Sequence, residues 1–555
     1  MLRDQIKTDL RKKIEEVFDV KVNASEIHLE HPQNPKFGDY ATNVALTLSP
    51  TLKQSSMEIA KELVLKILQD VENGKGFEYL EKVAAAAPGF VNLTVSREWL
   101  QSELTLILEL RENYGIPEEV RRSNQKQKVQ VEFVSANPTG PLHVGNARGG
   151  PLGDVLANVL EKVGYQVERE YYHNDVGGQV QKLGESVFYW YRRHFGEEPA
   201  FPEGGYEGDY VKDLAQTVVE QEGDQLLTRD PQEVSRDLAD RAVNHFLHEI
   251  LAVCRDLGIN FDRVVKESEL VSSSKTKKAL DKLEKAEFLK KREGAVWFAP
   301  SDEFLEDREC VVTKSNGDYT YFANDIGYHL DKFNRGFSKV VDIWGANHSG
   351  HVPRMKASLR ALGIDPQHFR AVLYQWVSLV RGGKKISMSK RRGEFTTARE
   401  VLDGVGRDVF RFLYLMRDAQ TPLEFDLDLA EERSEKNPVY YVQYAHTRIS
   451  SILRKDSGTG NADLSKLNHE AELALMRHLV RFPEVLEDVA ESYAVHQLAF
   501  YVMKTADLFH RFYEQCPVLT AGTPMKGARL ALATATGIII KDVLGLLGVS
   551  VPERM

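Results

Sequence analysis

The sequence has 555 residues, of which 42% are hydrophobic and 28% charged, so it is an ordinary folded protein long enough for several domains. Its net charge of −10 means that any nucleic-acid site must be a local basic face on an acidic body. The widely spaced cysteines exclude a disulfide framework and favour a reducing, cytoplasmic setting, while the charged N-terminus is no signal peptide and no apolar run approaches membrane-spanning length.

The first hundred or so residues form a separate α+β unit. Helices are predicted from Ile6 to Phe18 and over MEIAKELVLKIL, and a strand is predicted over PGFVNLTV. The following stretch, ENYGIPEEVRRSNQKQKV, is polar and carries proline and glycine, which is typical of a linker. No residue of this unit points to chemistry, so a packing or folding role stays open.

A βαβ unit follows, over VQVEFVSANPTGPLHVGNARGGPLGDVLANVLEKVGYQVEREYY. Alternating apolar residues predict the first strand, and a helical pattern ends at Gly164 before the second strand. HVGN therefore stands at the start of the crossover helix, where free amide groups and the helix dipole favour a phosphate. Gly145 lets a nucleotide approach, and His143 can donate to it. Alternatively, His143 satisfies a local carbonyl in a tight turn.

A long insertion begins after YYHNDVGGQV. Helices are predicted over EGDYVKDLAQTVVE and VSRDLADRAVNHFLHEILAVCRDLG, and TKKALDKLEKAEFLKKREGAVWFAP predicts a helix and a hairpin. ECVVTKSNGDYTYFA is a second hairpin with Asn316-Gly317 at its turn, which returns the chain to the sheet. There, Asn324 or Asp325 is expected to cap a helix. If that helix begins early, Tyr321 and Asp325 share a face.

Two carboxylates near this return point are candidates for binding a cation. An aromatic ring at Tyr321 beside Asp325 suits a guanidinium, which stacks on rings and needs charged acceptors. Glu132 precedes Phe133 in a strand that should be buried, and a buried carboxylate needs a cationic partner. From spacing alone, Asp325 is more simply an N-cap, and a structural arginine is the alternative partner of Glu132.

The second half of the nucleotide-binding fold is predicted as strand VVDIWGAN, helix HVPRMKASLRALG ending at Gly363, and strand FRAVLYQWVSLV. Gly345, Asn347 and His348 fall at the carboxyl end of a strand, beside the expected nucleotide crevice. His348 could equally be a satisfied loop histidine. The loop GGKKISMSKRRGEF is basic and glycine-flanked, so it either folds over a polyphosphate or is simply solvated.

An α-helical remainder begins at VLDGVGRDVFRFLYLM. Four further segments with helical periodicity, which begin at NPVYYV, HEAELA, VHQLAF and MKGARL, predict a bundle. Aromatic and basic residues alternate in it, and rings beside cations could hold unpaired RNA bases, although a core position is simpler for most of the rings. These residues are Tyr440, Tyr441, Tyr444, Phe509 and Phe512 with Arg448, Arg454, Lys504 and Arg511.

HVGN and SMSKR together resemble the two signature motifs of class I aminoacyl-tRNA synthetases. VEFVSANPTGPLHVGNARG, YFANDIGYHLDKF, SMSKRRGEF, NPVYYVQYAHTRI and the terminal VPERM are similar to the bacterial arginyl-tRNA synthetase family. The chain departs from the signatures at Asn146, where the family has histidine, and at Ser387, where it has lysine. Asn146 can still donate to a phosphate but carries no charge, whereas Lys390 and Arg391 keep the loop cationic.

The resemblance implies a multidomain α/β protein with a Rossmann-type nucleotide-binding catalytic domain, a small α+β N-terminal domain and an all-α C-terminal anticodon-binding bundle. The expected divisions are 1–112 for the tRNA-contacting N-terminal domain, 113–405 for the catalytic domain with its insertion at about 180–312, 406–435 for a helical connector and 436–555 for the anticodon-binding domain.

The resemblance also implies ligation of L-arginine to its tRNA with ATP and Mg²⁺, through arginyl-adenylate. The expected protein is a cytoplasmic monomer without a structural metal or a membrane partner, in which activation needs bound tRNA. One alternative is a ligase for another amino acid. The other is an inactive tRNA-binding paralogue, which the retained His143 and Lys390 disfavour.

Site residues are carried over from the family by motif. His143, Asn146 and Lys390 are expected to be catalytic, and Gly145, Gly345, His348, Met388 and Ser389 are expected to join them in binding ATP. The guanidinium of arginine is expected to pair with Glu132 and Asp325 and to pack against Tyr321. Asn137 is expected to hold the main-chain end of arginine, and Asn347 is a further expected arginine contact. The expected tRNA contacts are Tyr441, Tyr444, Arg448 and Met555.

Overall fold

The computed structural model describes residues 1–118, 120, 126–306, 308–386, 396–456 and 462–555. Its helices are α1 (Leu2–Phe18), α2 (Val44–Leu52), α3 (Ser56–Glu72), α4 (Arg97–Leu110), α5 (Gly149–Lys162), α6 (Gly178–His194), α7 (Asp209–Glu222), α8 (Pro231–Asp256), α9 (Glu267–Ser272), α10 (Lys275–Lys285), α11 (Tyr321–Asn334), α12 (His351–Ala361), α13 (Ala398–Val405), α14 (Arg407–Leu415), α15 (Leu427–Glu431), α16 (Pro438–Lys455), α17 (Glu470–Leu479), α18 (Phe482–Ser492), α19 (His496–Gln515) and α20 (Thr523–Leu547).

Its strands are β1 (Leu29–Glu30), β2 (Tyr40–Thr42), β3 (Leu80–Ala86), β4 (Phe90–Val95), β5 (Lys128–Glu132), β6 (Gln166–His173), β7 (Arg263–Lys266), β8 (Leu289–Arg292), β9 (Ala295–Phe298), β10 (Cys310–Thr313), β11 (Lys339–Gly345), β12 (Phe369–Tyr374), β13 (Val377–Arg381), β14 (Lys384–Lys385) and β15 (Leu423–Asp426).

The N-terminal unit is an antiparallel sheet, in the order β1-β2-β4-β3, covered by helices. Ile6, Leu10 and Ile14 repeat every fourth residue of α1 and are fully buried, because that spacing places them on one face of a helix. The predictions of α1, α3 and β4 are confirmed. The unit packs on the C-terminal bundle, where Glu484 accepts from the Tyr40 hydroxyl at 2.6 Å and lies 2.9 Å from His31 Nε2.

A parallel sheet in the order β12-β11-β5-β6-β7 organises the centre of the chain. From β5 the chain proceeds through α5 to β6 on one side, whereas β11 and β12 lie on the other. The order therefore reverses between β5 and β11, and such a switch point opens a crevice at the carboxyl ends of the strands. The predicted βαβ unit is confirmed: a 3-10 turn, Asn146–Arg148, leads directly into α5.

Helix α11 begins earlier than a cap at Asn324 or Asp325 would allow, so that prediction is wrong. Thr320 is the N-cap, and its hydroxyl accepts from the Ala323 amide at 3.3 Å. Asn324 and Asp325 are therefore inside the helix, and the early start does put Tyr321 and Asp325 one turn apart.

Two further strand predictions need correction. FRAVLYQWVSLV forms two strands in different sheets, because at Gln375 the amide donates to the Ala419 carbonyl instead of continuing the ladder. The hairpin around Asn316-Gly317 has its turn, with Gly317 at φ 88°, but its second arm is a single bridge between Thr313 and Tyr319. The arm is short because α11 begins two residues later, and β10 pairs with β9 instead.

The C-terminal bundle contains α16 to α20, and the HEAELA segment divides into α17 and α18. Helix α20 corrects the expectation about membrane-spanning length, since its 25 residues are long and apolar enough to cross a membrane. However, 72% of its most apolar window is buried inside the bundle. A core helix of this kind satisfies the same length and composition criteria as a membrane span, so this resemblance to a span is weak.

Replacing two helical glycines with alanine is expected to change stability in opposite directions, because one glycine is closely packed and the other faces open space. A Cβ on Gly153 would lie 2.2 Å from Cγ of Phe133, so we expect Gly153→Ala to destabilise the protein by about 1–3 kcal/mol through overpacking. Gly404 in α13 has open space where a Cβ would stand, so Gly404→Ala should stabilise by about 0.4–1 kcal/mol. Urea unfolding midpoints of the two variants test this, and equal midpoints would contradict it.

Candidate active site

A cavity of about 490 Å³ lies at the carboxyl ends of the parallel strands, over the switch point. It brings together predicted residues that are far apart in sequence, namely Glu132, Asn137, Gly145, Asn146, Tyr321, Gly345, Asn347 and His348. Its wall also contains Tyr172 and Asn174 after β6 and the turn Tyr374–Trp376 between β12 and β13. Met388, Ser389 and Lys390 lie outside the described residues, so their predicted roles stay predictions.

The backbone turns sharply where β5 enters the cavity. Val134 has φ 66° and Ser135 has φ 39°, left-handed conformations that are strained for side chains with a Cβ and especially for a β-branched valine. Ser135 Oγ holds this turn by donating to Glu132 at 3.1 Å and accepting from the Tyr172 amide at 3.1 Å. The hydrogen bond from Ser135 thus orients the Glu132 carboxylate. The sequence gives no signal for this strained turn, because neither Val134 nor Ser135 is a glycine.

Glu132 is buried, as predicted, but its partner is Lys332 rather than a structural arginine. Lys332 Nζ is 2.7 Å from Glu132 Oε2 and 2.8 Å from Asp342 Oδ1. The Tyr328 hydroxyl donates to the same Glu132 oxygen at 2.8 Å, and His329 Nε2 is 2.8 Å from Asp342 Oδ2. Glu132 therefore connects the cavity wall to a buried, hydrogen-bonded charge network.

This network carries more negative than positive charge, because two carboxylates share one ammonium group. Burial raises the pKa of Glu132 against the opposing effect of Lys332, while Lys332 and His329 overcome burial and lower the pKa of Asp342. Burial would lower the pKa of Lys332, but Asp342 and Glu132 outweigh it and raise that pKa. A cation entering beside Glu132 therefore meets a favourable field in a poorly solvated site.

Asp325 lies next to this network and is 4% exposed. His351 Nε2 is 2.7 Å from its Oδ2, and the rings of His351 and Tyr321 have centroids 5.8 Å apart. Tyr321 itself is 48% exposed on the cavity wall. An aromatic face beside a carboxylate that is already held in place matches the requirements of a planar guanidinium.

His351 and Lys332 were missed by the sequence predictions, although a spacing signal existed for one of them. Asp325, Tyr328, His329 and Lys332 repeat at three- and four-residue intervals, which places them on one face of α11. That polar stripe on an otherwise buried helix indicated a charge network. His351 opens α12, far along the sequence, and only the fold brings it to Asp325.

The HVGN turn faces the cavity through Gly145 and Asn146. His143 Nδ1 accepts a hydrogen bond from the Gly145 amide at 2.8 Å. In the neutral ring this places the proton on Nε2, which is the donor that a phosphate oxygen needs. The adjoining 3-10 turn and α5 place the positive end of a helix dipole beside the HVGN turn.

Arg148, in the same turn, is fully buried and was not predicted. Its Nη1 donates to the carbonyls of Gln375 and Thr421, both at 2.8 Å, and its Nη2 to that of Asp418 at 2.9 Å. Without a carboxylate partner among these contacts, burial lowers the pKa of Arg148 to about 10. The guanidinium ties the HVGN turn to the turn that begins β13.

Asn347 is exposed and His348 is half-buried in the 3-10 turn that follows β11. Burial, and secondarily the charge of His351, lower the pKa of His348. A neutral imidazole at this position hydrogen-bonds without adding charge to the cavity. The prediction that these residues lie at a strand's carboxyl end beside the crevice is confirmed.

The predicted RNA-binding residues lie together on the bundle. Arg448 Nη2 donates to the Tyr444 hydroxyl at 2.6 Å, and its guanidinium carbon is 4.7 Å from the centre of that ring. Tyr444 is 42% exposed and Met555 is 61% exposed, whereas Phe509 and Phe512 are core residues. The C-terminal tail lies along the same helix α16, where the Thr447 hydroxyl donates to the Pro552 carbonyl at 3.1 Å.

Family models match three successive parts of the chain. "Arginyl tRNA synthetase N terminal domain" matches residues 4–95, "tRNA synthetases class I (R), catalytic domain" matches 117–413, and "DALR anticodon binding domain" matches 442–555. The matches follow one another in the order of the N-terminal unit, the sheet with its cavity, and the bundle.

Similar proteins extend over nearly the whole chain. The arginine–tRNA ligase of Dehalococcoides mccartyi (strain CBDB1) is 40% identical over 537 residues, which cover 96% of this chain and 94% of the relative. That of Thermotoga maritima is 40% identical over 556 residues, covering 98% and 99%. The structure of Thermus thermophilus arginyl-tRNA synthetase matches with a TM-score of 0.79 over both whole chains at 24% identity, which supports the fold.

The shared ammonium group predicts a large stability effect. Lys332→Met would leave Glu132 and Asp342 buried without a cation, and we expect a loss of about 3–5 kcal/mol in the free energy of unfolding. Lys285→Met, on the exposed side of α10, is the matched control and should change stability by less than about 0.5 kcal/mol. Urea denaturation followed by circular dichroism measures both, and similar midpoints would refute the network's importance.

Proposed function

The chain belongs to the arginyl-tRNA synthetases, and from this membership we propose how its cavity carries out the family's reaction. The protein is an arginine–tRNA ligase: it activates L-arginine with ATP to arginyl-adenylate and transfers arginine to the 3′-terminal adenosine of its tRNA, releasing AMP and pyrophosphate. The alternatives of another amino acid and of an inactive paralogue have no comparable support, since the relatives carry the arginine ligase name over nearly their full length.

We propose that the guanidinium of arginine pairs with Asp325 and is attracted electrostatically by Glu132, while the ring of Tyr321 packs on the face of the guanidinium. The observation that supports this most is that Glu132 and Tyr321 line one cavity, while Asp325, held by His351, lies one helical turn from Tyr321 on α11. His351 holds Asp325 at 2.7 Å, so the carboxylate needs little reorganisation when the substrate enters. Asn137, exposed on the same wall, holds the main-chain end, and Asn347 completes the arginine contacts.

The second half of the proposal assigns the phosphates to the HVGN turn. The arginine carboxylate attacks the α-phosphate, and negative charge develops on its oxygens while pyrophosphate leaves. His143, Gly145 and Asn146 act by hydrogen bonding and positioning, and the positive end of the α5 dipole supports them. Gly345 and His348 border the nucleotide, Met388, Ser389 and Lys390 keep their predicted roles, and ATP is used as its magnesium complex.

A larger groove of about 1180 Å³ adjoins the cavity and shares Asn137, Asn174, Gln179 and Tyr321 with it. Its other wall comes from α8 of the insertion, including Arg236. We assign the tRNA's terminal nucleotides to this groove, because it leads from open solvent to the arginine side of the cavity. We assign binding of the anticodon loop to four residues of the bundle, Tyr441, Tyr444, Arg448 and Met555.

The domain divisions and setting are part of the same proposal. Residues 1–112 contact tRNA, 113–405 catalyse, 406–435 connect, and 436–555 bind the anticodon. The protein acts as a cytoplasmic monomer without a membrane partner. Charging of tRNA with radiolabelled arginine tests the function, with lysine, glutamate and cysteine as competitors in tRNA-dependent pyrophosphate exchange, and exchange with lysine but not arginine would overturn it.

Asp325→Asn tests the guanidinium assignment while keeping the size of the side chain. We expect its KM for arginine to rise at least about thirtyfold, because a charged hydrogen bond in a desolvated site is lost. Asp331→Asn is the control on the same helix, where the carboxylate pairs with Lys275 instead. Pyrophosphate exchange at graded arginine concentrations gives the KM for arginine of both variants. If Asp325→Asn had the same KM as the unchanged protein, the assignment would be excluded.

Tyr444→Ala tests the anticodon face. Loss of one stacking ring should raise the KM for tRNA about tenfold and leave the KM for arginine unchanged. Phe500→Ala removes another exposed aromatic of the same bundle, 47% exposed against 42% for Tyr444, and should have little effect. Equal tRNA constants for both variants would show that Tyr444 makes no RNA contact.

A further inference from the structure

Trp376 is the most exposed large apolar side chain among the described residues, with 69% of its surface accessible. It lines the cavity at the turn between β12 and β13, where no role has so far been assigned to it. Within the described part of the chain, most of this indole is left uncovered, and aromatic rings contribute strongly to binding when a partner covers them.

The backbone under this indole is held firmly even though the side chain is exposed. The Trp376 carbonyl accepts from the Leu423 amide at 2.9 Å, and the Gln375 amide donates to Ala419 at 2.8 Å. The Gln375 carbonyl accepts from Arg148 Nη1 at 2.8 Å. The ring is therefore presented from a fixed position, which lowers the entropic cost of binding a planar partner.

The position of Trp376 within the sheet indicates which part of the substrates it meets. Glu132 ends β5 and Asp325 lies in α11, whereas Trp376 follows β12, two strands away from β5 in the order β12-β11-β5. Two strand spacings are roughly 10 Å. Glu132 and Trp376 therefore line the cavity from strands two places apart, so the indole lies away from the carboxylate that the guanidinium is proposed to meet.

We propose that Trp376 stacks on the adenine ring of ATP. Arg148 joins the turn carrying this indole to the turn that faces the phosphates, so base platform and phosphate site are fixed relative to each other, as one nucleotide requires. The inference rests on the proposed assignment of the cavity to ATP and arginine. Because stacking accepts any base, Trp376 contributes affinity and leaves the choice of base to other groups.

The test compares Trp376→Ala, Trp376→Phe and the control Trp297→Ala, whose half-buried ring in β9 is not part of the cavity wall. Equilibrium dialysis with radiolabelled ATP and GTP gives dissociation constants for the whole enzyme, and tRNA charging gives the KM values for ATP, tRNA and arginine. We expect Trp376→Ala to weaken ATP binding about tenfold, with the ATP-to-GTP preference and the KM for tRNA changed less than about twofold. Trp376→Phe should restore most of the affinity.

An unchanged ATP constant in Trp376→Ala would overturn the proposal, as would a loss that phenylalanine does not restore. A higher KM for tRNA with normal ATP binding would also overturn it, since the ring would then contact the terminal adenosine. Dialysis needs no catalysis, so these outcomes are distinct from a failure of the parent enzyme to charge tRNA with arginine.

Discussion

The sharing of Lys332 between Glu132 and Asp342 is the constraint on which the site depends. Burying two carboxylates costs more than one ammonium group returns, so the network is stable only with the hydrogen bonds of Tyr328, Ser135 and His329. The residual negative charge lies where β5 meets the cavity. The network that holds α11 against the sheet is thus the same one that we propose attracts the cationic substrate.

The first signature turn is supported from elements that lie much later in the chain. Arg148 binds carbonyls at Gln375, Asp418 and Thr421, and the Tyr414 hydroxyl donates to the Val144 carbonyl at 2.8 Å. The HVGN turn is too short to fix its own geometry. These buried contacts supply that rigidity, because every donor that leaves its carbonyl would be unsatisfied in the interior.

The sequence predicted the elements whose signals are local. Periodicity found α1, α8 and the βαβ unit, and the HVGN turn after β5 led to the switch point without knowledge of the fold. Contacts between distant parts of the sequence could not be predicted in this way. The alternative partner of Glu132 was expected to be an arginine, but it is Lys332, 200 residues away. Asp325 is likewise held by His351, which lies on another helix. The predicted N-cap at Asn324 or Asp325 was wrong because the helix begins earlier, where the Thr320 hydroxyl accepts from the Ala323 amide.

Helix α14 extends these contacts from the catalytic cavity to the bundle. Its Tyr414 holds the HVGN turn, while its buried Arg411 donates to Asp154 of α5 at 2.6 Å, to the Leu257 carbonyl after α8 at 3.0 Å and to the Leu547 carbonyl that ends α20 at 2.8 Å. Burial lowers the pKa of this guanidinium, so its position is maintained by those acceptors together and not by one ion pair. A displacement of α20 relative to the sheet would have to break or move contacts of the helix that also supports the phosphate-facing turn. One short helix thus makes direct contacts with both the anticodon-binding bundle and the HVGN turn of the catalytic domain.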